Sequence, residues 1–81
     1  MTLNELPRRL AAIVEAVEDH GANDPIARRL RELGFVAGEP VQVVAHGPLG
    51  AEPILVQVGF TRFALRHAEA KRVRLRNGDA S

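Results

Sequence analysis

The chain has no cysteine and no tyrosine, and its side-chain hydroxyls and amines reduce to Thr2, Thr61, Ser81 and Lys71. Without cysteine there is no disulfide, no thiolate zinc site, no iron–sulfur cluster and no sulfur nucleophile. Covalent catalysis needs a nucleophile held beside a base. Thr2 and Ser81 stand at the two ends and Thr61 falls in an expected hairpin, so the inventory predicts a protein that is not an enzyme and carries no cofactor. Long apolar runs are missing too. The longest aliphatic run is Leu10-Ala11-Ala12-Ile13-Val14, against the roughly 18 residues a membrane span requires. Met1 to Leu10 shows no basic region followed by an apolar stretch, so no signal peptide is expected. These absences predict a soluble, cytoplasmic chain with no direct membrane insertion. A phosphate-cradling loop is also lacking, because Gly34 and Gly38 flank Phe35-Val36-Ala37 without the GxxxxGK[ST] order.

What is present is ordinary globular material: 81 residues, 46% hydrophobic and 26% charged, enough for a single small domain. We take residues 1–76 as that domain and the polar residues 77–81 as a disordered tail. Net charge is only +1, but its placement is uneven. Residues 61–76 carry Arg62, Arg66, Lys71, Arg72, Arg74 and Arg76 against Glu69 alone. Such a run suits an acidic partner or the solvated face of a sheet.

The clearest element is a helix opening at Asp24-Pro25 and closing at Gly34. Asp24 offers an N-cap oxygen, Pro25 suits the first helical position, and Gly34 can adopt the left-handed conformation that ends a helix. Ile26, Leu30 and Leu33 fall on one stripe. Arg28, Arg29 and Arg31 occupy the remaining surface. Val41 to Ala45, Ile54 to Val58 and Arg62 to Leu65 read as strands, the last two as a hairpin, with a loop from His46 to Pro53. Within that hairpin Phe63 and Leu65 are expected to face the core, and the few phenylalanines, Phe60 among them, are better used inside. His67 to Ala70 suggests one helical turn, and Arg72 to Arg76 alternates charge with apolar side chains as a half-buried strand does. In the first twenty residues Leu3, Leu6, Leu10, Ile13, Val14 and Val17 have helical spacing, although β-branched Ile13, Val14 and Val17 also suit a strand.

Glu18-Asp19-His20 gathers two carboxylates and an imidazole, ligands suited to divalent iron or manganese. Three consecutive residues in a turn converge poorly, and no second histidine stands at i+4, so no metal site is expected there.

Several stretches together resemble the FeoA family, small cytosolic accessory proteins of bacterial ferrous-iron uptake. Leu30-Arg31-Glu32-Leu33-Gly34-Phe35-Val36-Ala37-Gly38 resembles its R-L-x-E-L-G-[LF]-x-x-G signature. Gly47-Pro48-Leu49-Gly50 resembles its A-P-L-G-[DG]-P loop, and Gly59 to Arg66 resembles its G-x-x-[LIF]-[AS]-L-R hairpin. Leu3-Asn4-Glu5-Leu6-Pro7 matches its N-terminal L-x-x-L-x, so the likeness extends over residues 3–76. Where the family usually has glycine soon after this element, the chain has Arg8 and Arg9.

The resemblance implies a mainly β fold with one inserted helix, an SH3-like small β-barrel, and hence a strand at residues 10–18. It also implies a partner, the membrane transporter FeoB with its cytosolic GTP-binding domain. For a chain without catalytic groups, the contact surfaces expected are Arg28, Arg29 and Arg31 on the helix and Leu49 at the Pro-Leu-Gly tip. The competing reading is an SH3-like regulatory barrel that binds nucleic acid or a transcription-regulator partner in metal-dependent gene control. An exposed edge strand would also allow self-association.

Overall fold

The computed structural model describes residues 1–48 and 51–76. A 3-10 turn at Leu3–Glu5 leads to strand β1 (Ala11–Val17), helix α1 (Pro25–Leu33) and strand β2 (Pro40–Gly47). Strands β3 (Ala51–Val58) and β4 (Thr61–Leu65), the single-turn helix α2 (His67–Ala70) and strand β5 (Val73–Leu75) complete the order. The sheet runs β4-β3-β2-β1-β5 with every pairing antiparallel. The fold is therefore mainly β with one substantial inserted helix, as expected.

Helix α1 forms for the reasons legible in its sequence. The Asp24 carboxylate accepts from the amides of Ile26 and Ala27, Pro25 begins the first turn, and Gly34 at φ 114° ends the helix. Nine residues are too few for a stable isolated helix. Packing supplies what is missing, since Ala27 and Leu30 are buried while Ile26 and Leu33 are half-buried against the core. That core joins Leu3 and Leu6, alternating residues of the sheet such as Val41, Val43, Ile54, Val56 and Leu75, and Phe35 just beyond α1.

The helical spacing of the first twenty residues did not produce a helix. β1 pairs with β2 from Ala11↔Gln42 to Ile13↔Pro40 and with β5 from Val14↔Leu75 to Val17↔Val73. Leu10, which a helical stripe would have buried, is exposed. The β-branched residues gain more from two ladder partners than a lone amphipathic helix would gain from propensity. The expected loop at His46–Pro53 is also shorter than the glycine and proline content implied, because β2 continues to Gly47 and β3 begins at Ala51.

Arg9, one of the two arginines that replace the glycine of the resembled pattern, adopts φ 70° while its amide donates to the Val43 carbonyl at 2.8 Å. A side chain there strains the backbone, and glycine relieves that strain at some cost in chain entropy. Arg9→Gly is expected to raise stability by about 0.5 kcal/mol, read as a higher midpoint in urea with an unchanged slope. A lower midpoint would refute the assignment.

Candidate functional site

Helix α1 projects Arg28, Arg29 and Arg31 from its solvent side, all exposed. They are not equivalent. Arg31 is committed internally: its Nη2 donates to the Val17 carbonyl at 2.8 Å and pairs with the Asp19 carboxylate, fastening α1 to the end of β1. Arg28 and Arg29 form no ion pair with any described residue. Among the three arginines expected from the sequence, these two are available to an acidic surface. Leu49, the other expected contact, lies outside the described residues, as does the 77–81 tail.

The acidic turn disperses its ligands. Glu18 pairs with Arg74 at 2.7 Å and Asp19 turns to Arg31, so each carboxylate is neutralised by an arginine from another element. Among the described residues, no three histidine, aspartate or glutamate side chains come together as a metal site would require. His67 and Glu52 do meet, but through the His67 backbone amide donating to the Glu52 carboxylate.

Sequence reasoning missed the most heavily used carboxylate. Asp24, read only as a helix cap, also accepts from the His20 amide at 2.8 Å and from Arg72 Nε at 2.6 Å. The Arg72 guanidinium, followed by the His20 amide, holds this carboxyl well below the usual carboxylate range. The partner stands 48 positions away, and no local signal points to it. The same pairing corrects the picture of a free basic run: Arg72 is mostly buried in its ion pair and Arg74 is engaged by Glu18. Glu5 is likewise lowered, first by the Thr2 amide that its side chain accepts from.

The phenylalanines divide differently from the expectation. Phe35 is fully buried and Phe63 half-buried, their ring centroids 6.1 Å apart. Phe60 is fully exposed, because it occupies the two-residue turn between β3 and β4, where Val58 pairs with Thr61. Position in the turn overrides the apolar preference of the ring.

No helix among the described residues is long and apolar enough to cross a membrane.

Comparison with known proteins gives a consistent result. The FeoA domain model matches residues 1–77. A zinc-complexed FeoA from Stenotrophomonas maltophilia, described as an SH3 domain protein and a candidate activating factor of bacterial ferrous iron transport, is 68% identical. It superposes with a TM-score of 0.88, the match covering 94% of this chain and 89% of that one. FeoA from Chlorobium tepidum is 33% identical with a TM-score of 0.78, covering 93% and 68% of the two chains. The manganese regulator SloR shares the fold at a TM-score of 0.70 but only 9% identity, with 96% of this chain and 34% of that chain covered. Among curated proteins none matches. The five-stranded sheet is thus of the SH3-like kind seen in its relatives, and the chain belongs to the FeoA family.

Proposed function

We propose that this protein is a non-enzymatic accessory factor of ferrous iron uptake that acts in the cytoplasm by binding the GTPase-containing cytosolic part of the FeoB transporter. Family membership combined with the exposed guanidinium groups of Arg28 and Arg29, which pair with no acidic group among the described residues, carries this reading. A chain lacking a nucleophile–base pair influences a larger protein by binding one of its states better than another. The role suggested for the Stenotrophomonas relative, activation of ferrous iron transport, fits a protein of that kind. Arg31 enters indirectly, by fixing the helix against β1.

The test is the affinity of the full chain for the transporter's isolated cytosolic part, measured by calorimetry. Reversing Arg28 and Arg29 together to glutamate is expected to weaken binding about tenfold or more, since rim charges meeting an acidic surface contribute roughly that much. Leu49→Asp tests the second expected contact in the same assay. Unchanged affinity in both variants overturns these surfaces, and no binding by the unaltered protein overturns the partner.

Nucleic-acid binding by the basic C-terminal run is disfavoured by the ion pairs that Arg72 and Arg74 already make. Duplex DNA binding that weakens steeply with salt would restore that alternative.

A further inference from the structure

Strand β4 is the last strand of the sheet on its side, with none beyond it among the described residues. Its register fixes which backbone groups are occupied. Val58 pairs with Thr61 across a two-residue turn, followed by Val56 with Phe63 and Ile54 with Leu65. The pair closing such a turn exchanges both hydrogen bonds, and bonded pairs then recur at every second residue. Thr61, Phe63 and Leu65 therefore bond to β3, while the amides and carbonyls of Arg62 and Ala64 point away from the sheet.

That edge borders a groove of about 500 Å³ between β4 and helix α1. Ile26 and Leu33 from the helix and Phe63 from the strand line its apolar part, all half-buried with surface left to cover. Arg29 stands on the helix side and Arg62 on the strand side, both exposed. The one acidic lining residue, Glu69, uses its Oε1 to accept the Arg66 amide at 2.8 Å. The groove thus combines an open strand edge, an apolar floor and two cationic rims.

We propose that this groove binds an extended segment of a partner protein, added as a strand to β4, in which apolar side chains alternate with acidic ones. The outward groups of Arg62 and Ala64 supply the ladder. With a side-chain period of two, every second residue of the added strand reaches Ile26, Leu33 and Phe63 beside Arg29 of the helix, and the intervening carboxylates, on the other face of the sheet, lie toward Arg62. A second copy of this chain is a poor occupant. Edge-to-edge pairing of two β4 strands brings both copies' Arg62 and Arg29 to one seam, and like charges across a strand pair repel. The proposal rests on the protein being a binding module but not on which protein it binds.

The experiment selects binders from a displayed library of random dodecapeptides on the full-length protein, then synthesises the enriched peptide for amide hydrogen exchange by NMR. The expected result is enrichment of alternating apolar and acidic sequences, with new protection at the amides of Arg62 and Ala64. Arg62→Glu should weaken the peptide at least tenfold while leaving the circular dichroism spectrum unchanged. Enrichment of basic or proline-rich peptides, no enrichment, or protection confined to other strands overturns the proposal. The transporter reading is judged separately: if its cytosolic part binds the Arg62→Glu variant with full affinity, the groove is not the contact used there. If enriched peptides occupy the groove and the transporter domain does not bind, the groove stands and the partner falls.

Discussion

Replacing Asp24 with asparagine is expected to lower the melting temperature by on the order of 10 °C at neutral pH and to flatten the acid limb of the stability profile. Asp24 is 7% exposed, and both carboxylate oxygens are occupied. Oδ1 caps α1 through the Ile26 and Ala27 amides at 3.0 and 3.4 Å, while Oδ2 takes the His20 amide and Arg72 Nε. All four donors point at it. An asparagine side chain offers one carbonyl and one NH₂, so whichever way it turns, an NH₂ faces donors, and Arg72 loses its counter-charge in a mostly buried position. Arg72 also donates to the Ala68 carbonyl at 2.6 Å, and its own carbonyl accepts the Glu18 amide at 2.8 Å. Losing the carboxylate therefore loosens the approach to α1 and the α2–β5 junction together.

The direction with pH follows from the lowered pKa. A carboxyl held below its ordinary 3.8 binds fewer protons folded than unfolded, so its stabilisation is complete above about pH 4 and is lost as pH falls below that. The wild-type protein should lose stability from pH 4 downward more steeply than Asp24→Asn does. Melting curves at pH 7 and pH 2.5 for both proteins decide the matter. A melting temperature within 2 °C of wild type at pH 7, or parallel acid limbs, would show that the Asp24–Arg72 pair contributes little.

The second large effect is expected at Gly47, where alanine should destabilise the fold by about 3 kcal/mol, the upper part of the range for inserted atoms that force backbone movement. A Cβ built there runs into the Glu52 carbonyl group and the Pro53 nitrogen. Both obstacles are backbone, so no side chain can swing aside. The position sits where the β2–β3 register shifts, between His46↔Ile54 and Gly47↔Ala51, and separating the strands there breaks the outer end of the hairpin. A domain of this size has roughly 4–12 kcal/mol of stability in total, so the loss is a large share. Guanidinium unfolding measures it, and a change under 1 kcal/mol would mean that the hairpin accommodates the methyl group by a small local adjustment.

Much of the fold is local and was therefore legible. Asp24, Pro25 and Gly34 mark both ends of α1 because capping is decided within a few residues. The Ile54–Val58 and Arg62–Leu65 hairpin and the β5 alternation, with Val73 and Leu75 buried around exposed Arg74, follow from a period of two. The Arg28–Arg29 surface was equally visible as charge off the apolar stripe. Residues 10–18 were different. Their spacing satisfied a helix and their branching a strand, and with these local signals opposed, family resemblance favoured the strand that pairs with β2 and β5.

The amino-acid sequence by itself determined the lack of cysteine and tyrosine, the capped helix, the alternating strands and the family, since each depends on residue types or on neighbours a few positions apart. Only the tertiary structure decided that Asp24 serves Arg72, that Arg31 is spent on β1 while Arg28 and Arg29 are free of described partners, and that Phe60 stands in solvent. It also decided that α1 lies beside the open edge of β4. These outcomes depend on which distant segments are brought within hydrogen-bond or van der Waals range, and chain closure over tens of residues leaves no mark in local spacing.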